Sequence, residues 1–131
     1  FDNNQYYYIR GSLYEQLKKN DSARISYAKA LELNPDNYDA NWNLGALLVN
    51  EANDLYKTIG IGGVTKASIE PKMKGYYQEA QPFLEKALSN EAYSASEKIS
   101  LSKSLKRIYD SLGEKEKSAA ILESIKQLEG Q

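Results

Sequence analysis

The chain contains no cysteine and no histidine. Those absences exclude disulfide bonds, thiolate–imidazole zinc sites, cysteine nucleophiles and histidine general bases, leaving few routes to catalysis. Charge of one sign is missing too: 17 Lys and Arg stand against 18 Asp and Glu, a net charge of −1. No single-sign field exists to draw nucleic acid or anionic lipid, so neither is an expected partner. No run reaches the apolar length of a membrane span. The opening FDNNQYYYIR lacks an initiator methionine and the features of a secretory signal, which suggests an excised or processed piece. At 131 residues the chain suffices for one domain or a few stacked repeats.

Tyrosine is abundant, 11 in all, and much of it recurs at helical spacing. Tyr7, Gly11 and Tyr14 fall at i, i+4 and i+7 on one helix face, with Leu13 and Leu17 extending the apolar side. Glycine within a helix costs about 1 kcal/mol relative to alanine, so Gly11 calls for a close approach that a larger side chain would forbid. After the break KKND, where Asn20 or Asp21 is expected to cap the next helix, Ala23, Tyr27 and Ala30 repeat the spacing with small and large reversed. Two helices joined by so short a turn pack antiparallel, and rings of one then cover the Gly and Ala gaps of the other. Asn34-Pro35-Asp36 ends the second helix, and Asp36 or Asn37 is expected to cap a third.

The third helix repeats the first. Leu44-Gly45 and Leu48 follow the pattern of Arg10-Gly11 and Tyr14, 34 residues further on. These residues resemble the tetratricopeptide repeat (TPR) family, a 34-residue helix–turn–helix unit with the pattern W-x2-L-G-x2-Y, A-x3-F, then A and P. Repeat one, about 4–37, matches at Tyr7, Gly11, Tyr14, Ala23, Tyr27, Ala30 and Pro35, and departs only at Arg10. Repeat two, about 38–92, resumes at Ala80, Leu84 and Ala87 after an insertion at about 53–75. Helical character persists to about Lys57, and Pro71 suits the first turn of the next helix, so the irregular part is expected at Thr58–Glu70. Pro82 is expected to kink or break that second helix near Gln81. Repeat three, about 94–128, is degenerate: a capping box at Ser94–Glu97, Leu105, Tyr109, Ser118 in the small position and Leu122 in the aromatic one. Lys106 stands where glycine is expected and Ile125 replaces a small residue, so this pair should pack less closely.

The resemblance implies an all-α protein, an α-solenoid of three antiparallel TPR-like pairs in a right-handed superhelical stack. It implies a non-enzymatic module that binds a protein or peptide in the concave groove lined by the first helix of each pair. The alternative is an architectural or self-association segment of a longer repeat protein. Carried onto this chain, the family's groove positions fall on Tyr8, Ile9, Ser12, Glu15 and Gln16; on Trp42, Asn43, Ala46, Val49 and Asn50; and on Lys103, Ser104, Arg107 and Asp110. Trp42, one place later than the family's tryptophan, either anchors a peptide or packs between repeats. Lys103 and Arg107, one turn apart, either bind a carboxylate or form a solvated basic face. The family's carboxylate clamp is not retained, because Tyr8 and Ser12 occupy the places of its first lysine and asparagine. GIGGVTK has neither the order nor the preceding strand of a phosphate loop. Its Ile59, Ile61 and Val64 form an apolar tip that folds onto the long helices or meets a partner. No motif points to a cofactor or metal. The resemblance to family members with long second repeats leans towards the bacterial cell envelope or periplasm, and the cytoplasm stays open.

Overall fold

A computed structural model describes residues 2–131, and every regular element among them is an α-helix. The order is α1 (Asn3–Gln16), α2 (Asn20–Leu33), α3 (Tyr38–Tyr56), α4 (Lys66–Leu88), α5 (Ala95–Leu112) and α6 (Lys115–Glu129). Successive helices form three pairs, α1 with α2, α3 with α4 and α5 with α6; α2 then packs on α3 and α4 on α5. Each unit thus rests on its sequence neighbours, the arrangement of an α-solenoid. No helix among the described residues is long and apolar enough to cross a membrane.

Small residues receive large ones within the first two pairs. A Cβ on Gly11 would lie 2.6 Å from Cδ1 and Cε1 of Tyr27, and one on Gly45 would lie 2.6 Å from Cγ of Leu84. Ala23, Ala30, Ala80 and Ala87 are wholly buried alongside. Leu44, Leu48, Leu84, Leu101, Leu105 and Ile108 carry one hydrophobic core through the stack. The third pair differs from expectation at Leu122, which is exposed while Ile121 and Ile125 are buried. No helix covers the outer side of α6 among the described residues, and Lys106 turns from the missing-glycine position to Asp110, 2.8 Å away.

The helix ends follow local chemistry. Asn37 caps α3 by accepting from the Ala40 N–H, and Ser94 with Glu97 forms the expected capping box on α5. Neither Asn20 nor Asp21 caps α2: the helix already begins at Asn20, after Lys19, with no side-chain cap. The cause is the tightness of the preceding turn. Lys18 and Lys19 N–H groups donate to the carbonyls of Glu15 and Tyr14, both at 2.9 Å, and this holds Lys18 left-handed at φ 58°. The α5–α6 turn makes the same two bonds with Gly113 at φ 74°. Because a side chain at positive φ costs about 1 kcal/mol that glycine avoids, Lys18→Gly is expected to stabilise the protein by about that amount. Thermal melts followed by circular dichroism should show a rise of several degrees, and Lys18→Ala should show none.

The α3–α4 connection is shorter than the sequence suggests. Helix α4 starts at Lys66, fixed by a reciprocal Thr65–Ser68 capping box, so the irregular segment is 57–65 and not Thr58–Glu70. Pro71 therefore lies in the second turn rather than the first, and α4 continues unbroken past Pro82 to Leu88. Burial of Ala80, Leu84 and Ala87 on either side of Pro82 offsets the backbone bond that proline removes. Gly60, Gly62 and Gly63 take positive φ in the loop, whose Gly60 N–H donates to Val64 O at 2.9 Å. Val64 is half-buried, whereas Ile61 is 66% exposed and stands clear of the helices.

Candidate protein-binding cleft

The extra turns of α3 and α4 project past the α1–α2 and α5–α6 turns and back a cleft of 940 Å³. Glu15 and Asn20 of the first pair line one side, and Arg107 and Ser111 of α5 line the other. Asn50, Asn53 and Asp54 of α3 form the floor with Met73, Lys74 and Tyr77 of α4, where the Tyr77 hydroxyl lies 3.3 Å from Asn53 Oδ1. Carboxamides that bond either way, a pliable thioether and cations at the rim suit a peptide's backbone, apolar side chains and carboxylates in turn. The acids are partly engaged: Lys57 pairs with Asp54 at 3.5 Å and Lys74 with Glu70 at 3.4 Å. Arg107 is exposed and forms no ion pair among the described residues.

The groove candidates divide into separate places. Glu15, Asn50 and Arg107 meet in the cleft. Tyr8 and Ile9 line a smaller hollow of 540 Å³ with Asp36 and Asp39, at the opposite end of the helices. Trp42 is half-buried against the core, its ring 5.2 Å from and edge-on to Tyr93. Val49 is a core residue, and Ser12 and Ala46 are half-buried. Lys103 is exposed and pairs with Glu129 at the end of α6, 3.6 Å away, rather than reaching Arg107's cleft. Asp110 faces α6, accepting from Ser118 Oγ and Lys106. Of the cleft's α4 wall, Lys66 and Glu70 fall within Thr58–Glu70, the segment expected to be irregular, while Met73, Lys74 and Tyr77 fall on the helix expected from Pro71 and carry no expected site role. The wall's signal was present in Ile69, Met73, Tyr77, Ala80 and Leu84, which keep one face at three- and four-residue steps.

Asn43 works beneath the surface. Its Nδ2 lies 3.4 Å from the hydroxyls of both Tyr8 and Tyr27, and the Tyr27 hydroxyl donates to Glu15 Oε1 at 2.5 Å. Tyr109 donates in the same way to Glu85 at 2.6 Å and Tyr93 to Asp39 at 2.5 Å. Burial first, and the carboxylate second, push all three phenols well above their ordinary range. In the unfolded chain these tyrosines ionise near pH 10, before their folded counterparts, so above that pH the unfolded state has lost more protons. Stability is therefore expected to be full below about pH 10 and to fall steeply above it. Urea unfolding midpoints at pH 8, 10 and 11 check this, and Tyr27→Phe should shallow the slope.

Residues 5–37 match the tetratricopeptide repeat family. Comparison with curated proteins gives no match.

Proposed function

From a chain that carries a tetratricopeptide repeat at its N-terminal pair, within six helices consistent with repeats of that kind, we infer a protein–protein interaction module whose ligand is an extended peptide segment seated in the cleft backed by α3 and α4. Repeats of this family are generally interaction modules without catalytic activity. The observation that carries the finer reading is convergence: Glu15, Asn50 and Arg107, from three different pairs, reach one 940 Å³ cleft with Met73 and Tyr77 as its apolar floor. Concave sites with a few converging polar groups on an apolar lining are the usual form of a ligand site. Arg107 supplies the bidentate grip for a peptide carboxylate, and Asn50 and Asn53 supply donors and acceptors for an extended backbone.

Peptides selected from a random displayed library against the intact protein test the reading. Arg107→Glu and Met73→Glu should each weaken the selected peptides tenfold or more, while circular dichroism stays unchanged. Peptides whose affinity ignores both substitutions would place binding elsewhere and end this proposal.

A further inference from the structure

Five register positions of the first helix in each pair reveal a face that the described chain leaves uncovered. In α3 they are Ala40, Asn41, Leu44, Leu47 and Leu48; in α5 they are Leu101, Ser102, Leu105, Ile108 and Tyr109. All ten are 5% exposed or less, beneath α2 and α4 respectively. In α1 the same positions hold Tyr6, Tyr7, Arg10, Leu13 and Tyr14. Here Tyr6 is 49% and Leu13 54% exposed, Arg10 is exposed, and Tyr7 and Tyr14 are half-buried. Ile25 of α2, 70% exposed, continues the apolar surface. Between α1 and α2 runs a groove of 320 Å³ lined by Tyr7, Arg10, Tyr14, Ile25 and Lys29.

We propose that this α1–α2 groove docks an amphipathic helix of another protein, seated as α2 sits on α3, with a carboxylate just beyond its C-terminal end. The second pair supplies the template. Ala23, Tyr27 and Ala30 align with Ala80, Leu84 and Ala87 at a separation of 57, which aligns Lys29 with Lys86. Lys86 Nζ lies 2.7 Å from Asp36 Oδ1, three residues past the end of the helix that packs on α3. Lys29, with Arg10 across the groove, presents the same cation to an incoming helix's C-terminal turn; among the described residues its one ion-pair partner is the exposed Glu32, 3.4 Å away on its own helix. A second copy stacked head-to-tail fits poorly. Its outer helix α6 carries exposed Lys126 at the register of Leu31 and Leu88, both packed on the core, and would set that lysine towards Arg10 and Lys29.

A labelled peptide of residues 20–37, the chain's own α2 with Asp36, serves as the probe in anisotropy titrations against the intact protein. Saturable binding is expected, weakened tenfold or more by Leu13→Glu, Ile25→Glu or Lys29→Glu and unchanged by Arg107→Glu, which separates this face from the cleft. Asp36→Lys in the peptide should weaken binding to the parent protein and restore it to the Lys29→Glu variant. Absence of saturable binding up to millimolar protein, or binding indifferent to Ile25→Glu, overturns the proposal. So does a concentration-dependent dimer of the protein that Leu13→Glu dissolves, for the face would then belong to a second copy.

Discussion

Tyr27→Ala is expected to destabilise the protein by about 4 kcal/mol, a large share of the roughly 5–15 kcal/mol that holds a domain folded. Tyr27 is wholly buried, and its ring fills the space that Gly11 leaves open. Removing the ring opens a cavity between α1 and α2, and glycine on the opposite wall cannot close it. The substitution also strips the Glu15 carboxylate and the Asn43 amide of a shared partner. Tyr27→Phe isolates that polar part and should cost about 1–2 kcal/mol. Urea unfolding of both variants separates packing from hydrogen bonding. Gly11→Val, disruptive alone, should be partly tolerated beside Tyr27→Ala because its methyls enter the vacated space. The two changes are therefore expected to couple by about 1–3 kcal/mol. Additivity within experimental error would mean that the ring and the glycine do not share one volume.

The fit of Tyr27 over Gly11 and of Leu84 over Gly45 explains why so much of the fold could be read from the chain. A helical glycine is expensive unless something occupies its missing side chain, so Gly11 and Gly45 announce close partners, and the i, i+4, i+7 spacing says on which face. Tyr27 and Leu84 are where the alternation of small and large places them. Reading faltered where the deciding force was not periodic. The extent of α4 depended on the Thr65–Ser68 capping box and on packing strong enough to carry two prolines, neither of which a repeat pattern encodes. The Lys18 turn was hidden because a lysine stands where Gly113 would have signalled positive φ. The groove candidates scattered for a geometric reason: matching repeat positions point in matching directions, but only the ends of α1, α3 and α5 beside the long hairpin close around a common volume. Leu122 and Leu13 share a further cause. Burial at a register position requires a neighbouring pair, and a sequence pattern records the position without recording the neighbour.

Gly45→Val tests the same physics at the joint that positions the cleft. Its first added carbon would sit 2.6 Å from Cγ and Cδ2 of Leu84 and 3.5 Å from the Ala80 carbonyl oxygen. Leu84 is 1% exposed, in the core between α3 and α4, so the added carbon is expected to push the two helices apart. Overpacking of this kind costs about 1–3 kcal/mol, and valine's second branch places the substitution at the upper end. The gain in helix propensity over glycine, below about 1 kcal/mol, does not offset it. Gly75 supplies the contrast within α4, since a Cβ there meets nothing within 4 Å. Gly75→Ala should stabilise the protein by about 1 kcal/mol while Gly45→Ala destabilises it. Opposite signs for one chemical change, measured by thermal unfolding, would show that contact with Leu84 rather than backbone preference fixes the glycine. The cleft adds a functional readout: parting α3 from α4 shifts Asn50 and Asn53 away from Met73 and Tyr77. Peptide affinity should therefore fall in Gly45→Ala, at temperatures where the variant is still folded, and hold in Gly75→Ala.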